Sequence, residues 1–348
     1  MRSLLALVCC VALPAVAAPL EKTGQLAVTP NRLDSFDIGT VDQASERYFL
    51  ADRSNKSLDV FDLVAGRMVG QVGGFVGDRG AYRNSGPNGV VVAGGEAWVG
   101  DGDSTIKVVD LASGKVVQTI ATGGTTRLDE VAWDAADRVF VGINPDETPP
   151  YATLVSTDAG RRVVGRVEVD RATDGLEQPV WSPVDGLIYV AVPELDHQPG
   201  QGGIAVIDPR DATLVTIIET RDCGGTGLAR GPGSRMVMGC RVIKDGPAPH
   251  SVVFDAANGE VVASVDGVGG ADMVAYGERP ARYYEAAGRM PGGPVVGVID
   301  ATTNGWLGNV ASGPGAHSVA VAEGPGTVLV PVSGKDGGCG CVEVFTPR

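Results

Sequence analysis

Residues 108–120 read VVDLASGKVVQTI: an apolar run, an Asp, a turn ending in Gly and a second apolar run. Nearly the same text stands at 60–72 (VFDLVAGRMVGQV) and at 252–265 (VVFDAANGEVVASV). Valine-rich runs on either side of a Gly-containing turn signal a β-hairpin. The Asp that closes the first run recurs at Asp62, Asp110, Asp158, Asp208, Asp255 and Asp300, with gaps of 48, 48, 50, 47 and 45 residues. A period in the forties with four short apolar runs per unit is the mark of propeller blades. A helical solenoid of similar period would need apolar residues spaced at three and four, and the chain lacks such windows. The recurring Asp is read as a turn residue whose carboxylate accepts backbone N–H groups, not as a catalytic group.

Counting units gives seven, roughly 35–72, 88–122, 128–169, 176–220, 224–267, 271–311 and 316–346. The second shows its strands plainly as GVVVAG, EAWVGD, TIKVVD and KVVQTI, and first strands such as VVVAG and GLARG are small enough to crowd an axis. The seventh unit has only three strands. The segment GQLAVTP, ahead of the first unit, is the expected fourth, closing the ring as the outer strand of the last blade and leaving no open edge. The expected fold is an all-β, seven-bladed β-propeller of four-stranded antiparallel blades, one domain over residues 18–348.

The stretches YFLADRSNKSLDVFDLVAGRMVGQV and AWVGDGDSTIKVVDLASGKVVQTI resemble the YVTN-type repeat of YncE-like bacterial propellers. The shared pattern is an apolar strand, an Asn/Asp/Ser turn, a V-x-D strand, a Gly turn and a valine-rich strand. The literal YVTN string is missing, and the wording loosens after the second unit. The resemblance implies a seven-bladed extracytoplasmic propeller and says little about activity, since such scaffolds serve many functions.

The chain begins MRSLLALVCCVALPAVAAPLEK, a basic start, a short apolar core and a small-residue site, which predicts a secretory signal peptide over 1–17. Cys9 and Cys10 fall in this leader. Removing it leaves 331 residues (348 minus 17), and losing Arg2 takes the formal charge from −14 to −15. A surface this acidic repels phosphate backbones and anionic lipid, so neither nucleic acid nor membrane insertion is expected. The expected protein is a periplasmic or secreted monomer whose partner is a small molecule or another protein.

Aligning the inner strands on their first buried apolar residue places Phe36, Asn88, Asp129, Gln178, Thr226, Asp272 and His317 at one equivalent position at a mouth of the axial channel. Glu130 follows one step behind Asp129. We read Asn88, Asp129, Glu130, Gln178, Thr226, Asp272 and His317 as candidate ligand-binding residues. Asn88, Asp129 and Asp272 offer oxygen donors of the kind Ca²⁺ or another divalent metal takes. Such an ion could polarise a lactone or ester carbonyl, with His317 or Glu130 as proton acceptor. This set resembles the calcium-dependent lactonases of senescence-marker type, but offers one Asn where they use two and has no Glu at the ring position itself. Polar groups that bind only ordered water are the competing reading. The longest loops, NPDETPPY, PELDHQPGQG and KDGPAPH, are expected over the same mouth and carry or adjoin His197 and His250.

Four cysteines follow the leader. Cys223 and Cys240 sit at the two ends of one hairpin and are expected to pair as a disulfide. Cys339 and Cys341, in GGCGC, are open to two readings: a closely spaced disulfide bent at Gly340, or a thiolate pair for a soft metal.

Overall fold

The computed structural model describes residues 18–158, 160–241 and 246–348. The leader expected at 1–17 lies outside the described residues. Seven four-stranded sheets make up the chain, each antiparallel, and short 3₁₀ turns are the only helices among the described residues. No described helix is long and apolar enough to cross a membrane. The fold is a seven-bladed β-propeller.

Blade one runs from its inner strand Gly39–Asp42 to its outer strand Arg67–Gly73, and blade two from Val90–Ala93 to Lys115–Ala121. Blades three and four start at Val131–Asp134 and Pro179–Trp181. Blades five and six start at Gly225–Arg230 and Met273–Gly277. Blade seven combines Ala320–Ala322, Thr327–Val332 and Cys341–Pro347 with Leu20–Ala27 from the other end of the chain. Leu20 pairs with Pro347 and Ala27 with Cys341, so the N-terminal strand is the outer strand of the last blade.

The core lies between blades. Val141 and Leu154 of blade three pack with Val190 and Ala205 of blade four. Leu329 and Val342 of blade seven pack with Tyr48 and Phe61 of blade one, which completes the circle. Middle strands are buried on both faces, while outer strands such as Lys115–Ala121 alternate with solvent. At the axis the approach is closer still. Gly89 donates its N–H to the Asp129 carbonyl at 2.9 Å, and a Cβ there would stand 2.6 Å from that oxygen, so only glycine fits.

The turn role read for the repeated Asp holds at Asp62, Asp110, Asp208, Asp255 and Asp300, each of which accepts a backbone N–H from its own turn. Asp158 differs. Its strand ends at Ser156, and its carboxylate pairs with Arg138 instead. Both cysteine pairs form disulfides, Cys223–Cys240 and Cys339–Cys341. Cys223 lies just before the strand Gly225–Arg230, and Gly225, not Cys223, stands opposite Cys240 in the ladder.

Blade one also buries an acid. Asp59 is fully buried; its Oδ1 accepts from Ser57 and Gln71, while Oδ2 has no hydrogen-bond partner among the described residues. Burial and the neighbouring Asp52 push its pKa up to about 8. The folded state therefore holds a proton that the unfolded chain releases near pH 4, and stability falls as pH climbs from there to about 8. Asp59→Asn keeps the accepting oxygen and removes the charge. Its melting midpoint should match the wild type at about pH 3 and exceed it by about 3 °C at about pH 9. Parallel melting curves across that range would contradict this assignment.

Candidate functional site

A cavity of about 1020 Å³ opens at one end of the axis, lined from several blades by nine carboxylates and five arginines. Asp129, Glu130, Thr226, Asp272 and His317 all line it, although they span 188 residues of chain (317 minus 129). Asn88 and Gln178 do not. Asn88 is fully buried; its Oδ1 accepts from Arg53 and its Nδ2 donates to the Leu128 carbonyl at 2.7 Å. Gln178 reaches across to two other blades. Its Oε1 accepts from the Leu228 and Val274 amides at 2.8 and 3.0 Å, and its Nε2 donates to the Val274 carbonyl at 3.1 Å. Their amides serve as stitches between blades. Gln178 instead borders a second, smaller depression with Val180, Leu228 and Tyr276. Thr226 does both jobs, lining the cavity while donating to the Ala271 carbonyl at 2.6 Å.

Four of the cavity's five arginines are paired with carboxylates of its wall. Arg53 binds Asp37 and Asn88 in the buried wall. Arg127 reaches Asp129 at 2.6 Å and Asp146 at 3.1 Å, and lies over the Tyr82 ring at 5.0 Å. Arg83 also pairs with Asp146, and Arg241 with Asp174. His317 stacks on Phe36 at 4.8 Å, with Nδ1 against the Gly315 carbonyl and Nε2 3.2 Å from Asp37. Those two acceptors call for two donors, so the ring is set up as an imidazolium.

Electrostatics follow from this arrangement. Burial alone would raise the Asp37 carboxyl, but Arg53 and His317 outweigh it and hold the pKa at about 2. Burial lifts Asp129 to about 7 despite Arg127, with Asp37 adding to the rise. Glu130 and Glu177 are raised well above ordinary glutamate, chiefly by burial and next by other acids of the mouth. Glu130 is 5% exposed, and its Oε2 has no hydrogen-bond partner among the described residues.

Of the long loops, Pro145–Pro150 and His197 line the cavity. His250 does not, its ring facing the Ala248 carbonyl; part of the third loop lies outside the described residues. Alignment of inner strands misses Arg53, Arg127 and Glu177, which stand just beyond strand ends. It also misses Tyr82 and Arg83, in the connection between blades one and two. For Arg53, Arg127 and Glu177 the available signal was charge, since each is a charged residue near an inner-strand start or a second-strand end.

Only one trio of metal-type ligand atoms lies within 4.8 Å of one another among the described residues, that of Cys223, Cys240 and His250. With the two sulfurs joined in a disulfide, that trio offers no thiolate. The carboxylates of the mouth are spread more widely.

No family profile and no curated protein sequence matches the chain. Similar solved structures include hydrazine synthase of Kuenenia stuttgartiensis, at 13% identity and TM-score 0.74, covering 91% of this chain and 96% of that one. A chain of the mitotic checkpoint complex matches at 12% identity and TM-score 0.69, covering 99% of both. At such identities the likeness is one of fold alone.

Burial opposes the charging of His317, but the hydrogen bond and charge of Asp37, with Asp272 behind them, raise its pKa above the ordinary 6.5. The stabilisation from this charged pair is full below that value and is lost as pH rises through the folded pKa. Imidazole NMR titration should place the His317 midpoint above 6.5, and Asp37→Asn should lower it. A midpoint at or below 6.5 that ignores Asp37→Asn would contradict the pairing.

Proposed function

We propose that the protein is an extracytoplasmic binding module that holds a polar, charged ligand in the axial mouth. The observation that carries this reading is a recessed cavity of about 1020 Å³ whose wall is fixed before any ligand arrives. Arg53, Arg127 and His317 are each held by more than one partner, so little side-chain freedom is lost on binding. The tie from Gln178 to Val274 sits one residue beyond the lining Glu177 and fixes the neighbouring inner strands. Two disulfides, which persist in oxidising compartments, support a place outside the cytoplasm. A kinship with YncE-like propellers is part of the same proposal and rests on the repeat wording of the first two units.

A metal-assisted hydrolase at this mouth has weaker support. Its amide donor Asn88 is committed to the wall, and Asp129 is occupied by Arg127.

A thermal-shift panel of amines, carboxylates and amino acids tests the reading. At least one class should raise the melting midpoint of the wild type, and Asp272→Arg should abolish the shift. Calcium-dependent turnover of aryl esters or lactones, lost in Asp272→Ala, would overturn it in favour of the enzyme.

A further inference from the structure

Five carboxylates of the mouth form no ion pair among the described residues; Glu147 is instead held by Thr125 and Thr126 and Asp170 is exposed at the rim, which leaves Glu130, Glu177 and Asp272. Arg53, Arg83, Arg127 and Arg241 are each engaged by Asp37, Asp146, Asp129 or Asp174, and Arg289 is the one cavity arginine that forms no ion pair among the described residues. Glu130, Glu177 and Asp272 form no ion pair among the described residues, and they come from blades three, four and six. They lie close enough to act on one another: among charged neighbours, Glu177 weighs most on Glu130, and Asp272 most on Glu177. Glu130 is the telling member. An acid 5% exposed on a cavity wall, with an oxygen that nothing in the protein satisfies, carries a desolvation cost and awaits a donor.

We propose that Glu130, Glu177 and Asp272 form the binding site for a small organic cation bearing ammonium or guanidinium groups. This rests on the reading of the mouth as a binding site and specifies its ligand. Two features select an organic cation over a bare metal ion. Calcium draws its oxygens to within about 2.3–2.6 Å of itself, whereas no three of these carboxylates approach within 4.8 Å of one another. An ammonium or guanidinium group hydrogen-bonds at about 2.7–3.2 Å and carries several donors, so it spans a wider set. The cavity also has room for a carbon skeleton, bordered by Pro145 and the Tyr82 ring. The ligand's positive charge favours the ionised form of Glu130, which faces Asp129, Glu177, Asp272 and Asp37, so binding releases a proton to solvent.

Isothermal titration of the disulfide-intact mature chain at low salt tests the site, with butane-1,4-diamine and agmatine as probes and calcium chloride and succinate as comparisons. Both amines should bind. Glu130→Gln and Glu177→Gln should each weaken them by about tenfold or more. Glu260→Gln, on the outer strand of blade five, controls for net charge and should change nothing. Proton release, read as a buffer-dependent heat, should fall in Glu130→Gln, where Glu177 is the raised acid that remains. If Glu130→Gln does not fold, Glu177→Gln and Asp272→Asn carry the comparison. Amine binding that ignores these substitutions would overturn the proposal, as would calcium binding that depends on them while amines do not bind. Succinate binding without amine binding would overturn the cationic ligand and leave the mouth as a binding site. Binding of none of the probes, with no class shifting the melting midpoint, would overturn both.

Discussion

Every blade presents apolar side chains on both faces of its middle strands, so no sheet of this chain is stable alone. A sheet with two buried faces needs two neighbours, and a row of such sheets satisfies all of them only by closing into a ring. Closure falls to the N-terminal strand Leu20–Ala27, which pairs along Cys341–Pro347 and supplies Leu20 to the core between blades six and seven. The packing of Leu329 and Val342 against Tyr48 and Phe61 then joins last blade to first. The mouth residues are neighbours because this ring is shut. Asp37 and His317, 280 residues apart, share a hydrogen bond across the seam.

Closure also explains how one ring of positions does two kinds of work. Inner strands pack so tightly that Gly89 and Gly227 hand their N–H groups directly to the next blade. The polar residue just before each continues the stitching, Asn88 to the Leu128 carbonyl and Thr226 to the Ala271 carbonyl. Where a blade needs no such stitch, the equivalent side chain is left to face the cavity, as at Asp272. Arginines from the strand ends neutralise part of the acid that gathers there, and carboxylates remain in excess at the mouth.

The fold was legible because its determinants are local and repeated. The Asp–Gly hairpin, the valine alternation and the missing fourth strand of the last unit all lie within short windows. Asp158 shows the limit: its strand ends two residues early, a departure the repeated letter does not reveal. The site was half legible. Alignment of inner strands located Asp129, Glu130, Thr226, Asp272 and His317 on one cavity, because backbone geometry carries them there. It placed Asn88 and Gln178 at the same level without showing that their amides turn into inter-blade bonds, since that depends on carbonyls of other blades. Arg53, Arg127 and Glu177 escaped because their partners are remote in sequence and no short motif records them. The proposed cationic ligand is read from what remains unpaired once every partner is known, which sequence alone does not supply.

Native-state hydrogen exchange measures the central claim most directly. If closure by the N-terminal strand holds the ring, the hydrogen-bonded amides of Leu20–Ala27 should exchange only through the same global opening as those of Thr327–Val332, the buried strand two places inward in the same blade. Exchange of Leu20–Ala27 orders of magnitude faster, with the other blades still protected, would show that the ring stands without its seam and would contradict the account.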